Sequence, residues 1–418
     1  MRGQQHTRDG RIAVRIDAGL RLKPQRWAVA TALLATLATL ALAGCAPQVA
    51  SPRPTATPVS PDARLAGRLV YVTVGLSPGL STPGLVEALN AQTGALVWKA
   101  QTYTTSGAPA VANGALYVAA DDGTVRAFDA KTGQARWSFT RTVGVGPRFG
   151  LDGYVAVSGD SVVVSSDSGA VYALDAATGK QRWVFALPTA DTHIYTAPAL
   201  GSGVAYIASA GPNAALYALD IASGKIRWTA AQAGGFDGQP LLVGDTLYVG
   251  ANLADTFHAY NAATGASLWS YDTGSQIHTL PAVGADAVYV GSQDASISAI
   301  SASDHTLTWK FQTVGSAPQA LIGTGAAPTL DGQTVYVGSQ GGVVFALAAA
   351  NGKPLWQQAL NSAIDSPPTI LDDTLFATTE AGDVVALRAS DGATIWRTKA
   401  GGFVIAAPVV TAPGAAGA

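Results

Sequence analysis

The sequence predicts an all-β chain folded as an eight-bladed β-propeller, each blade a four-stranded antiparallel sheet. Three observations lead there. Eight tryptophans, Trp98, Trp137, Trp183, Trp228, Trp269, Trp309, Trp356 and Trp396, follow one another at 39 to 47 residues. An alanine stands ten residues ahead of each: Ala88, Ala127, Ala173, Ala218, Ala259, Ala299, Ala346 and Ala386. The composition is that of strands and tight turns: 47 glycines, many aspartates, and only Glu87 and Glu380 as glutamates. Glutamate favours helices, whereas aspartate and glycine favour turns.

The chain opens with an expected address segment rather than with a blade. Arg2, Arg8, Arg11, Arg15, Arg21, Lys23 and Arg26 face only Asp9 and Asp17 over the first 26 residues, and Ala28 to Ala43 is then uncharged and rich in Ala and Leu. A basic segment before a short apolar run reads as a secretory signal peptide. The run falls short of the ~20 residues of a membrane span. Leu42-Ala43-Gly44-Cys45 resembles the bacterial lipobox and contains the only cysteine of the chain. That resemblance implies cleavage before Cys45 and a lipid on its thiol, with residues 1–44 as signal peptide. Residues 45–68 are rich in Pro, Ala, Ser and Thr, a composition that favours an extended spacer over a packed core.

From residue 69 to 411 the expected blades follow. A β-prone segment such as Thr246-Leu247-Tyr248-Val249-Gly250 precedes each motif. A second strand, such as Val171-Tyr172-Ala173-Leu174, leads into Asp-x-x-Thr-Gly, where the carboxylate accepts turn amides and Gly takes the positive φ. The strand after the turn carries the Trp, and an Ala-Pro-rich strand, such as Ala197-Pro198-Ala199-Leu200, lies upstream. Four strands in some 40–47 residues is the signature of a propeller blade. The first repeat lacks its Ala-Pro strand, and the C-terminus supplies one in Val404-Ile405-Ala406-Ala407-Pro408-Val409-Val410. The last strand should therefore complete blade one and remove an open sheet edge. Residues 412–418 are expected to form a disordered tail.

The eleven-residue pattern A-x-[DN]-x-x-[TS]-G-x-x-x-W resembles the tryptophan-docking motif of the pyrroloquinoline-quinone (PQQ)-type β-propeller family. The resemblance covers the whole body and implies that each Trp packs on the next blade beside its motif alanine and glycine. Copy six departs from it, with Ser301 at the Asp position and His305 at the Gly position; copies seven and eight carry Ala348 and Arg388 at the Asp position. Those turns are expected to be looser.

The resemblance leaves two functional branches. Quinoprotein dehydrogenases resemble this chain in blade motif, and that resemblance would imply PQQ with Ca²⁺ as cofactor. Many of them use a vicinal cysteine pair and a Glu/Asn/Asp set. Here the lone cysteine is assigned to lipid, and Glu87 and Glu380 fall in a strand and a turn away from the expected ligand positions. No cofactor, catalytic residue or metal site is expected. The other branch, BamB-type lipoproteins, implies a membrane-anchored, extracytoplasmic, non-enzymatic scaffold with a monomeric body that binds other envelope or membrane proteins. A ligand-binding sensor remains the third possibility. Charged residues are 12% and net charge is −2, without a basic block beyond the leader, so nucleic acid is an unsuitable partner.

A binding site, if any, is expected at the channel mouth, in the segments before each innermost strand. These read Arg148-Phe149, His193-Ile194-Tyr195, Phe236-Asp237, Gln276-Ile277-His278, Gln319 and Asp365. Arg148, His193, Asp237 and His278 are the funnel candidates. His258 is expected within a strand and His305 in a turn.

Overall fold

The computed structural model describes residues 63–411 except 76–82, 106, 142–153, 189–191, 212, 233, 252–254, 314–327 and 405. Cys45, the leader, most of the spacer, the tail, Arg148, Phe149 and Gln319 lie outside the described residues. The described residues form eight four-stranded antiparallel sheets. Blade four is representative, with strands Ala199–Gly201, Val204–Ala208, Ala215–Asp220 and Ile226–Ala231 running from the inner to the outer edge.

Burial explains the residue pattern within a blade. The second and third strands of blade four are buried on both faces, while the outer strand alternates. The middle strands therefore read as continuous apolar runs, since each blade is packed between two others. Among the described residues the buried side chains form eight clusters, each bridging two successive blades. The stability of the ring resides in these seams.

The ring closes as the sequence predicts. Blade one consists of Leu69–Gly75, Pro83–Asn90 and Leu96–Tyr103, with Val409–Val410 as its inner strand. Val70 pairs with Val410 and Tyr71 with Val409. The Arg68 side chain adds a hydrogen bond to the Thr411 carbonyl at 2.9 Å. Joining the two ends of the chain leaves blade one with the same four strands as its neighbours.

The alanine-to-tryptophan spacing has a direct geometric meaning. In every blade the motif alanine is the cross-strand partner of the tryptophan. The register slips just after that alanine, which accommodates the turn. All eight alanines are fully buried. The indole then reaches the next blade. Trp137 donates its N–H to the Ala176 carbonyl at 2.9 Å, and Tyr117 O–H reaches the same oxygen at 3.2 Å. Trp98, Trp183, Trp228, Trp309, Trp356 and Trp396 donate in the same way to Ala130, Ile221, Ala262, Ala349, Ala389 and Ala91.

Gly179 shows why the motif glycine is needed. Its φ is +71°, and a Cβ there would meet the Trp137 ring at 2.5 Å. Copy six solves the same problem differently. His305 takes φ +62° and stacks its imidazole on Trp269, centroids 4.8 Å apart and planes 15° apart. The indole has turned to allow it: Trp269 lies at 60° to Tyr248, against 38–47° for equivalent pairs such as Tyr117–Trp137 and Tyr289–Trp309.

The expectation of looser turns needs correction for copies seven and eight. Gly352 N–H to Ala348 O and Gly392 N–H to Arg388 O are both 2.8 Å, the distance of Gly179 N–H to Asp175 O. The residues at the threonine position take the role of its hydroxyl, as Thr178 Oγ1 accepts from Lys180 N–H. Asn351 Oδ1 accepts from Lys353 N–H and Asp391 Oδ1 from Ala393 N–H, each at 3.0 Å. Only copy six lengthens, with His305 N–H 3.1 Å from Ser301 O.

Candidate functional site: the channel mouth

Antiparallel strands place alternate loops on opposite faces. The docking turns occupy one face. The other, the mouth face, carries the loops that return from each outer strand to the next inner strand, together with the second-to-third-strand turns. Backbone bonds tie these two loop sets together within a blade: Asp121 N–H to Thr104 O, Ala210 N–H to His193 O, Gln293 N–H to Gln276 O and Glu380 N–H to Ala363 O. Five of the return loops are also pinned by one buried apolar residue four positions before a proline: Ile194, Phe236, Ile277, Ile364 and Val404. The next residue in four of these loops is Tyr195, Asp237, His278 or Asp365. These four blades therefore each present one polar or aromatic side chain at the mouth.

Two of the four funnel candidates meet there. Asp237 of blade five and His278 of blade six approach to 3.7 Å, Oδ2 to Nδ1, and their side chains are only 12% and 10% exposed. Burial holds the His278 pKa below the ordinary histidine value, partly offset by the Asp237 carboxylate. His278 Nε2 also lies 3.3 Å from Gln276 Oε1. His193 is engaged elsewhere. Its Nδ1 sits 3.1 Å from the Asp167 carbonyl of blade three, and its ring stacks on Tyr195.

Glu380 requires a correction. The sequence places it in a turn away from any channel ligand. The turn indeed holds it, but the loop pairing of blade eight brings it against Asp365. Burial, followed by the hydrogen bond and the like charge of Glu380, raises the Asp365 pKa to about 7. This carboxyl pair was missed because its members stand 15 positions apart and only the 363–380 backbone bond joins them. Glu87 is buried in its strand, with Oε1 accepting from Gly401 N–H at 3.2 Å.

The opposite face carries a cavity of about 220 Å³ between blades one and two, lined in part by Tyr71, Asn113, Asp129, Lys131 and Arg136. Arg136 is committed there, bonding Asp129 at 2.8 Å and Gly114 O at 2.7 Å. Its charge draws the Asp129 pKa down to about 2. The same brace recurs as Arg182–Asp175 and Arg227–Asp220 in the next two blades.

A family model described as "Outer membrane protein assembly factor BamB" matches residues 48–192, 143–249, 212–366 and 342–413, together almost the whole body. The chain belongs to this family. Among solved structures, BamB from Moraxella catarrhalis is 21% identical with a TM-score of 0.56, covering 71% of this chain and 88% of that one. The quinohemoprotein alcohol dehydrogenase from Comamonas testosteroni is 16% identical with a TM-score of 0.60, over 72% of this chain and 68% of the other. The computationally designed Ika8 protein is 17% identical with a TM-score of 0.57, over 71% and 88%. At these identities the structural likenesses establish the propeller alone. No curated protein matches the sequence.

The dehydrogenase likeness raises the question of fit to a quinone held by Ca²⁺. Ca²⁺ takes six to eight oxygen ligands converging on one point. At the mouth Asp237 is paired with His278 and Asp365 with Glu380. Among the described residues no group of three or more His, Cys, Asp or Glu is placed to hold a metal ion. The described residues do not fit such a group.

Proposed function

We propose that this BamB-family propeller is a lipid-anchored, extracytoplasmic scaffold that binds other envelope or membrane proteins and performs no catalysis itself. The observation that carries the reading is the family match along the whole body. Two further points support it. The most repeated chemistry in the chain, the indole N–H groups and their carbonyl acceptors, is spent on joining blades. The Leu-Ala-Gly-Cys45 sequence at the end of an apolar run supports the anchor. In this reading residues 1–44 are removed, Cys45 carries the lipid, and residues up to 68 serve as spacer.

Crosslinking in native membranes, followed by identification of the captured proteins, tests the scaffold. A reproducible envelope-protein partner, lost when the mature body is released by Cys45→Ser, is the expected result. Stoichiometric PQQ binding with turnover of an alcohol or sugar would overturn the reading. The paired groups at the mouth favour a second reading, a ligand-binding sensor. That reading gains if a small molecule raises the melting temperature while crosslinking captures nothing.

A further inference from the structure

We propose that loop 234–238, at the mouth between blades four and five, is an acid-released latch, held in place by neutral His258. The loop reads Gly-Gly-Phe-Asp-Gly. Gly234 and Gly235 take φ of +92° and +80°, so the backbone turns where a side chain would be strained. Only its centre is anchored by side chains. Phe236 is fully buried and presents an edge contact to His258, centroids 6.2 Å apart and planes at 79°, and another to Tyr260. Asp237 faces His278.

The hydrogen bonds of His258 define its working state. Its Nε2 lies 3.3 Å from Gln232 Nε2 and 2.8 Å from Thr256 Oγ1. An amide nitrogen only donates. With that nitrogen toward the ring, Nε2 accepts, and the ring is neutral with its proton on Nδ1. Adding a proton to Nε2 sets two donors against each other. Thr256 would have to rotate its hydroxyl to accept, and Gln232, at the stem of the loop, would have to turn its amide over to present Oε1. The charged ring would also sit among Phe236 and Tyr260, away from water.

The surrounding groups reinforce this direction. His258 lies opposite Val249 on one neighbouring strand and Ser270 on the other. The charged groups on these packed elements are Asp255, Asp272 and Asp237, with His278 beyond Asp237. Burial is the dominant influence on His258 and lowers its pKa. A histidine held neutral by the fold gives contacts that are complete above about pH 6.5 and are lost as pH falls below it. His278, which faces Asp237 on the other side of the loop, is likewise held towards its neutral form by burial, with the Asp237 carboxylate a smaller opposing influence.

Hydrogen exchange of the full chain in detergent, corrected for the intrinsic pH dependence, tests the latch. The reporting amides are Phe236 N–H, bonded to Ser209 O at 3.0 Å, and Gly238 N–H, bonded to Gly250 O at 3.2 Å. Between pH 7.5 and 5.5 their protection should fall by about fivefold in the wild type, with amides of the blade-two strand Ala115–Ala119 unchanged. In His258→Asn that pH dependence should disappear. An equal acid-induced loss in His258→Asn, or none in the wild type, overturns the proposal. A measurement without substitution guards against a misfolded variant. The NMR signals of the Phe236 ring should titrate with the midpoint of the His258 imidazole. A Phe236 ring unmoved while His258 titrates would equally sink it.

Discussion

The seam between blades two and three and the seam between blades five and six use one motif with different outcomes. In the first, Trp137 lies over Gly179 and shares the Ala176 carbonyl with Tyr117. Twelve buried residues form its cluster. In the second, the imidazole of His305 fills the place of the glycine, Trp269 is turned, and the cluster among the described residues has five members. Three of the five histidines of the chain, His258, His278 and His305, belong to these two blades. A repeated fold is thus chemically uneven. One seam docks its indole over a glycine and onto a backbone carbonyl; the other docks it against an imidazole.

The largest effect should come from removing a docking indole at the regular seam. Trp137→Ala should lower stability by about 3–5 kcal/mol, measured by denaturant unfolding, and Trp183→Ala by a similar amount. Trp269→Ala should cost clearly less, because its seam buries fewer residues. Equal losses at the two seams would show that the difference in packing has no energetic weight.

Next comes the glycine. Gly179→Ala introduces a Cβ 2.5 Å from the Trp137 ring at a positive φ, and should destabilise by about 1–3 kcal/mol. The converse change, His305→Gly, should shift stability by under about 1 kcal/mol, because relief of the left-handed φ offsets the lost stacking. A loss at His305→Gly as large as that at Gly179→Ala would mean that the imidazole stack is the stronger docking device.

The mouth sharpens the comparison through the sign of its pH dependence. Asp365 has a folded pKa near 7, well above its unfolded value. The folded state therefore binds more protons, and this contribution to stability is full below about pH 4 and is lost as pH rises towards 7. Asp365→Asn should raise stability at pH 8 by about 1–2 kcal/mol, after allowance for solvent screening, with little gain at pH 4. The pair in blades five and six runs the other way. His278 has a lowered pKa, so its contribution is present above about pH 6.5 and falls as pH falls. Thermal melts of Asp365→Asn and His278→Gln across pH 4–8 should diverge from the wild type at opposite ends. The smallest effect is expected at His193→Ala, under about 1 kcal/mol, since it loses one half-buried contact to Asp167 O and the ring stack on Tyr195.

The blade count, the ring closure and the place of each docking tryptophan were legible in the sequence because they are local and repeated. An alanine and a tryptophan ten positions apart are cross-strand partners of one hairpin, and a hairpin states its register in its own spacing. The missing Ala-Pro strand at the start and its surplus copy at the end likewise made closure readable. The mouth was legible only by position. The expected location of Asp237 and His278 before the inner strands could be read, but not that they would approach each other and leave His193 behind.

What the sequence determined by itself is the period: eight hairpins, each with an apolar face that one blade cannot bury alone. What only the tertiary structure decided is which side chains from different hairpins meet. Glu380 reached Asp365 through one backbone bond between two loops. His305 found Trp269 because the next blade supplied the indole. Local spacing fixes the contacts within a hairpin, whereas contacts between hairpins depend on packing across a seam, and those partners carry no fixed distance along the chain.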